Sequence, residues 1–317
     1  MDQGIDEFSF LPEQAREVGV TGTFPGAERR TTPLADGRRL SALHYTTASA
    51  PAPTARDTAS PVVFLHGAGL NAHTWDATIL TLGLSAIALD LPGHGDSSWR
   101  DDLAYTARPL AADIAGGLDA VSGAPFVVVG HSLGGWTAAA LAAARPDLVR
   151  ALVIVDITPG IDMSAGPAQL QQFFAGPTDW ASRDELVDRA IAFGLGGASR
   201  EKVARGVYFN SRVRDDGRVE WKHHFARLAN VAAAAPNDAP TAQRPSAAPD
   251  GWDDLDAVRA PITLVRAERG FVGAEDAAEF RRRLPTASVI SVSAGHNVQE
   301  DAPAELAAIV RSAVAGA

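Results

Sequence analysis

Short apolar runs recur along the chain, and helix-length segments separate them. Five continuous runs occur at residues 61–65, 84–89, 125–129, 151–155 and 261–266. Runs of this length are typical of strands that are buried on both faces of a parallel sheet. Helix-length segments lie at residues 71–82, 103–121, 132–144 and 275–284, and a last strand and helix are predicted at 288–292 and 303–314. The alternation predicts an α/β fold, in which helices flank a sheet.

An antiparallel edge is predicted ahead of these runs. Residues 30–34 and 38–45 are candidates for extended structure, and they flank Asp36-Gly37. Because Asp-Gly is a strong signal for a two-residue hairpin turn, the sheet is expected to begin with a hairpin.

One interval departs from the strand–helix alternation. It shows no buried strand but several amphipathic stretches, at residues 167–174, 183–193, 200–209 and 221–231. The pattern predicts a helical cap inserted between two strands of the sheet, with a connector rich in Ala and Pro at its end. The chain is therefore divided into the first part of the core at 1–157, the cap and connector at 158–254, and the second part of the core at 255–317.

Composition narrows the possible partners. A formal net charge of −10, with no Lys/Arg run longer than the three arginines at 281–283, disfavours a nucleic-acid partner. The apolar runs are far shorter than the roughly 20 residues of a membrane helix, so no membrane partner is predicted. The N-terminal MDQGIDEFSF is acidic where a secretory signal would be basic, which predicts a cytoplasmic location. The chain has no cysteine, which excludes disulfides, thiolate metal sites and a cysteine nucleophile.

A nucleophile is predicted where the run at 125–129 meets the next helix. Gly130 and Gly134 flank Ser132 in the sequence GHSLG, and glycines allow a strand and a helix to approach closely around a strained residue. The serine is thereby exposed at the carboxyl end of the strand. The helix that follows offers free N–H groups and the positive end of its dipole. An ordinary helix-capping serine would make no use of this arrangement.

A second loop complements the serine. His66-Gly67-Ala68-Gly69 follows the first buried run, and a backbone N–H in this loop can point toward the reaction centre. We expect the N–H groups of Ala68 and Leu133 to form an oxyanion hole, with Gly69 as the alternative donor to Ala68.

Taken together, these motifs resemble the α/β-hydrolase family. The resemblance rests on His66-Gly67 with Trp75, on DLPGHGDS at residues 90–97, on the elbow at Ser132 and on Gly295-His296. It implies an eight-stranded, mostly parallel α/β-hydrolase sheet flanked by helices, with a helical cap inserted after the sixth strand. It also implies a hydrolytic triad of serine, histidine and an acid, as in carboxylesterases and lactonases.

His296 is the predicted base, because it follows the last strand at the carboxyl edge of the sheet, where open α/β sheets place their sites. The other histidines are assigned structural or surface positions. His223 and His224 are neighbours, but adjacent residues on a helix point about 100° apart and no cysteine or carboxylate partner is evident, so no metal site is predicted.

The acid of the triad is assigned by comparing two strands. In the commonest family layout it follows the seventh strand, where this chain has Gly270. Some members carry the acid at the end of the sixth strand, where Asp156 lies. Asp156 is therefore the predicted acid, and the alternative is that Glu268 pairs with His296.

These residues predict a serine hydrolase that cleaves a carboxylic ester or lactone through an acyl-enzyme and needs no cofactor. The partner is a small-molecule substrate of small to medium size, largely apolar because aromatic side chains abound in the predicted cap and no arginine cluster demands a phosphate. The oligomeric state is not defined by the sequence. C–C bond hydrolase or cofactor-free haloperoxidase or perhydrolase chemistry on the same triad, and a non-catalytic ligand-binding protein of this fold, remain as alternatives.

Overall fold

The computed structural model describes residues 6–47, 61–121, 124–161, 172–174, 176–194, 199–225, 227–228, 248 and 250–317. The strands are β1 Gly26–Pro33, β2 Arg39–Thr46, β3 Val62–Leu65, β4 Ala86–Leu89, β5 Phe126–His131, β6 Val149–Val155, β7 Asp179–Trp180, β8 Ser211–Val213, β9 Val219–Trp221, β10 Ile262–Arg269 and β11 Ser288–Gly295. The α-helices are α1 Leu11–Glu17, α2 Asp76–Leu82, α3 Ala107–Leu118, α4 Leu133–Ala144, α5 Arg183–Ala192, α6 Arg200–Asn210, α7 Gly251–Ala257, α8 Ala274–Arg283, α9 Val298–Asp301 and α10 Pro303–Gly316. Short 3₁₀ helices occupy Glu7–Phe10 and Ala72–Trp75.

Eight strands form one sheet in the order β1-β2-β4-β3-β5-β6-β10-β11. Strand β2 runs antiparallel to its neighbours β1 and β4, and the other neighbouring strands pair in parallel. The predicted α/β fold and the eight-stranded, mostly parallel sheet are therefore confirmed. The predicted hairpin also forms, with Pro33 paired to Arg39 across the Asp36-Gly37 turn.

The apolar runs are buried because helices cover both faces of the sheet. Every residue of β3, β4 and β5 is buried. One face packs against α3, α4 and α7, and the other against α2 and α10. Helix α4 is buried nearly throughout and carries alanine and glycine on most of its surface, so it lies close to the strands. None of the helices within the described residues combines the length and the apolar character needed to cross a bilayer.

The segment between β6 and β10, which we call the insertion, contains strands as well as helices. Strands β7, β9 and β8 form a small antiparallel sheet beside α5 and α6. The sequence predicts the helices of this insertion but not its strands, because strands of two or three residues are too short to show an alternating pattern. The amphipathic stretch at 221–231 is expected to be helical, but its first residue, Trp221, is the last residue of strand β9. The stretch at 162–171 and most of the connector fall outside the described residues, and the expected boundary between 254 and 255 falls within α7.

An N-terminal arm, residues 6–17, joins the core to the insertion. Arg29 on β1 donates to Glu7 of the arm at 2.7 Å and to buried Asp90 at 2.6 Å. Farther along the arm, Phe10 packs edge-on against Phe209 of α6, with 5.3 Å between ring centroids.

His73 lies at the centre of this junction. Its Nε2 and Nδ1 atoms lie 3.0 Å from carboxylate oxygens of Glu7 and Asp76, and its ring stacks on Phe209 at 3.8 Å between centroids. Burial alone would lower the pKa of His73, but the carboxylates of Asp76 and Glu7 outweigh it and raise the pKa to about 9. Burial would raise the pKa of Glu7, but hydrogen bonds from His73 and Arg29 lower it to about 2.

These pKa shifts predict a pH-dependent stability. A histidine whose folded pKa exceeds its unfolded value stabilises the fold fully below about pH 6.5, and this contribution disappears as the pH rises through about 9. At about 1.4 kcal/mol per pKa unit, it is on the order of 3 kcal/mol. In urea titrations, His73→Gln should therefore be less stable than wild type by this amount at pH 6 and by little above pH 9.5.

His44→Gln is the matched control, because burial lowers the pKa of His44 and its contribution runs in the opposite direction with pH. A His73→Gln difference that stays constant from pH 6 to 9.5 would contradict the charged His73.

Candidate active site

The chain turns sharply at Ser132, between β5 and α4. Ser132 adopts φ 52° and ψ −120°, a backbone conformation that is strained for any residue other than glycine. Its N–H donates to Val155 O at 3.1 Å, and its carbonyl accepts from the N–H of Gly135 at 2.8 Å. The flanking glycines are required sterically, since a Cβ at Gly130 would lie 2.2 Å from Gly134 O and one at Gly134 would lie 2.2 Å from Leu65 O. The serine is left partly exposed at the carboxyl edge of the sheet.

Two backbone N–H groups lie beside this turn. Leu133 is the first residue of α4, so its N–H has no acceptor within the helix. The loop after β3 passes close to the serine, because a Cβ at Gly67 would lie 3.2 Å from Ser132 Cβ. Within the described residues the N–H of Ala68 finds no acceptor, whereas that of Gly69 donates to His94 Nε2 at 3.1 Å. The geometry therefore favours Ala68 over Gly69 as the second donor.

The structure brings His296 and Asp156 together. The Nδ1 atom of His296 lies 2.8 Å from Oδ2 of Asp156. Asp156 follows Val155, the residue that pairs with His131 across β5 and β6, so Ser132 and Asp156 leave adjacent strands at the same level. His296 follows β11 and reaches across the end of β10 to the carboxylate. A carboxylate at this position fixes a proton on Nδ1 and leaves Nε2 free to accept another.

The carboxylate of Asp156 is completely buried and is held by backbone donors. Oδ1 accepts from Ala267 N at 3.0 Å, and Oδ2 accepts from Phe271 N at 2.7 Å as well as from His296. Both donors belong to the end of β10 and the turn after it. A Cβ at Gly270 would lie 2.0 Å from Oδ2 of Asp156. Gly270, at the position where the family most often has its acid, thus leaves room for the Asp156 carboxylate, which comes from the neighbouring strand β6.

Glu268, the alternative acid, lies elsewhere. Its side chain is exposed on the surface, and no contact with His296 is found in the described part of the chain. The geometry joins His296 to Asp156 and leaves Glu268 in solvent.

Two further side chains hold His296. Phe271 stacks on its imidazole, with 3.5 Å between ring centroids and 15° between planes. His131 donates through Nε2 to His296 O at 2.9 Å. Neither contact is predicted by the sequence. An aromatic residue directly after the glycine at the acid position is the one sequence signal that could have indicated Phe271.

The buried motif histidines serve the loops. His66 Nε2 accepts from Leu91 N at 2.9 Å, and burial lowers the pKa of His66 to about 4. Burial, followed by the proximity of His66, lowers the pKa of His94 to about 3, so that it stays neutral and accepts from Gly69. Both histidines are therefore loop supports, as the sequence predicted.

The adjacent pair His223 and His224 separates. His223 is buried against Trp221 and Phe174, whereas His224 stacks on Trp99 and lies 2.8 Å from Tyr105 Oη. Among the described residues, no group of three or more His, Cys, Asp or Glu side chains could hold a metal ion.

The aromatic side chains of the insertion divide between its own core and the site. Phe173, Trp180 and Trp221 pack together within the insertion. Phe174 reaches the loop after β3, where a Cβ at Gly69 would lie 2.1 Å from its ring. Phe225 lies 5.0 Å from His94 between ring centroids. Phe174 and Phe225 thus contact the loops around the serine.

Comparisons with known proteins identify the family of this chain. The sequence model of the alpha/beta hydrolase family matches residues 62–309. Esterase Rv0045c of Mycobacterium tuberculosis is 37% identical over 316 residues, which cover 97% of this chain and 95% of the esterase. A crystal structure of that esterase matches with a TM-score of 0.76 and covers 99% of this chain and 100% of its own. Lipase LipV of the same organism is 31% identical, over 79% of this chain and 92% of the lipase. The chain belongs to the alpha/beta hydrolase family.

Proposed function

We propose that the protein is a serine hydrolase that cleaves a carboxylic ester or lactone of a small to medium, largely apolar substrate through an acyl-enzyme. It is a hydrolase that acts on ester bonds, like the esterases and lipases among its relatives. The observation that carries the finer proposal is the 2.8 Å contact between Nδ1 of His296 and Oδ2 of Asp156, a residue that leaves the strand adjacent to the one before the strained serine.

The mechanism follows from the hydrogen bonds of the site. With its Nδ1 proton held by Asp156, His296 removes the proton of Ser132 through Nε2, and the serine oxygen attacks the ester carbonyl. The N–H groups of Ala68 and Leu133 stabilise the oxyanion, each by about 3 kcal/mol. His296 then protonates the leaving alcohol. Water, activated by the same imidazole, hydrolyses the acyl-enzyme, and the reaction as written needs no cofactor.

The substrate class is supported by the side chains around the site. Phe271 covers the imidazole and Phe174 covers Gly69, so apolar surface borders the reacting centre on two sides. We propose that the insertion, residues 158–254, acts as a cap over this centre. A cytoplasmic location and a small-molecule partner, rather than nucleic acid or membrane, complete the proposal.

The test is a panel of p-nitrophenyl esters of increasing chain length together with lactones. We expect hydrolysis of the shorter esters, with kcat/KM falling for long acyl chains, and labelling of wild type by a fluorophosphonate probe. Ser132→Ala should show neither.

Ligand binding without labelling or turnover would instead indicate a non-catalytic protein of this fold. Labelling without turnover of any ester or lactone would contradict the proposed substrate class and leave the serine assignment intact.

A further inference from the structure

The side chain of His131 connects the two halves of the proposed site. His131 is the last residue of β5 and directly precedes Ser132. Its Nε2 donates to the carbonyl of His296 at 2.9 Å, and the two imidazole centroids are 4.5 Å apart. A single hydrogen bond therefore joins the residue before the proposed nucleophile to the backbone of the proposed base.

That hydrogen bond determines the tautomer of His131. Since Nε2 donates, the proton is on Nε2, and Nδ1 is an acceptor. Nδ1 is buried and finds no donor within the described residues. It lies against Gly67, where a Cβ would approach it to 2.7 Å. A buried polar atom without a partner is costly. Among the described residues, the hydrogen bond to the carbonyl of His296 is therefore the one polar interaction of the His131 ring.

The other contacts of His296 within the described residues do not connect it to the strand that precedes Ser132. Asp156 and Phe271 hold its imidazole from the side of β10, and Val298 N donates to its carbonyl at 3.1 Å from the same loop. Among the described residues, His131 is the contact that comes from β5, the strand that ends directly before Ser132. It is also suited to lie beside a base that becomes charged, because burial keeps the pKa of His131 well below its usual value and the ring stays neutral.

We propose that His131 is a positioning residue, which sets the distance between Ser132 and His296 through its hydrogen bond to the carbonyl of His296. This inference rests on the proposed function. A displacement of about 1 Å between reacting groups can cost roughly 100-fold in rate, so the effect belongs in kcat rather than in KM.

The experiment compares two amides at this position. The amide nitrogen of glutamine occupies nearly the place of Nε2 and can donate to His296 O, whereas asparagine is one methylene shorter and cannot reach it. We expect His131→Gln to retain kcat within about 5-fold and His131→Asn and His131→Leu to lose roughly 30- to 100-fold, with KM changed less than about 3-fold. The substrate is p-nitrophenyl butyrate, and fluorophosphonate titration counts the competent sites.

Thr78→Val is the matched control. Thr78 is completely buried and donates to the backbone carbonyl of Gln299 at 3.3 Å, so the variant also removes a side-chain bond to the chain after β11 but not one to His296. It should lose thermal stability without losing kcat.

Three results would overturn the inference: equal kcat for the glutamine and asparagine variants when both are folded, a leucine variant within 3-fold of wild type, or a loss in Thr78→Val as large as in His131→Leu. A wild type that neither hydrolyses the ester nor reacts with the probe would contradict the proposed function instead.

Discussion

Ser132→Ala and His296→Ala should each lower kcat for p-nitrophenyl esters by at least about 10³-fold. In the proposed mechanism the serine oxygen forms the bond to the acyl group and the imidazole accepts its proton, so either loss removes the same reaction path. The double variant should therefore lose no more than the worse single variant. We expect the residual rate to come from the N–H groups of Ala68 and Leu133, the proposed oxyanion donors, which neither substitution removes.

Ser182→Ala provides a matched control for the serine. Ser182 also precedes a helix, and its hydroxyl accepts from Glu185 N at the start of α5. Because it lies in the insertion and contacts no proposed catalytic residue, its loss should leave kcat unchanged. Near-normal turnover in Ser132→Ala or His296→Ala would refute the assignment of nucleophile or base.

Asp156→Asn should lower kcat by about 10³- to 10⁴-fold and leave KM nearly unchanged. The amide can donate where the carboxylate accepts, so it favours the wrong tautomer of His296 and cannot stabilise the imidazolium. Glu268→Gln should be nearly normal, because the Glu268 side chain is exposed and apart from His296. The two variants are compared by kcat and KM on the same ester, and a severe loss in Glu268→Gln with a mild one in Asp156→Asn would move the acid to the seventh strand of the large sheet.

The close contact between Gly270 and the Asp156 carboxylate allows a second test of the acid assignment. Gly270→Ala should impair turnover by roughly 100-fold on its own, because the new Cβ would collide with the carboxylate of Asp156, the proposed acid of the triad. A double variant, Asp156→Ala with Gly270→Asp, places a carboxylate at the common family position in the vacated space. It should recover part of the activity that Asp156→Ala loses. A fully active Gly270→Ala variant would show that the turn does not hold the carboxylate in place.

The large sheet could be predicted from the sequence, because burial on both faces produces continuous apolar runs. The sharp turn at Ser132 could also be predicted, since a predicted strand and a predicted helix meet there between two glycines. The sequence indicates Asp156 because Gly270 has no carboxylate, but it does not show the structural reason for the glycine. Only the close approach of the turn after β10 shows that a side chain at 270 and a carboxylate at 156 would compete for one space.

Contacts that depend on the path of separate loops could not be predicted. His131 and His296 are far apart in the sequence, and nothing local indicates that a side chain at the end of β5 bonds to a carbonyl after β11. The strands of the insertion were missed because two or three residues carry no detectable period. The burial of His73 could not be predicted, since it depends on an N-terminal arm whose position a local pattern does not define.

The arm and the first hairpin bear on how this protein can be shortened. The family match starts at residue 62, yet β2 pairs with β4, and Asp76 accepts from Tyr45 of β2. A fragment that began at residue 62 would leave β4 as an unpaired edge strand. It would also lack Arg29, the ion-pair partner of the buried Asp90. Such an edge invites pairing between copies. A family alignment is therefore a poor guide to the smallest chain that folds alone.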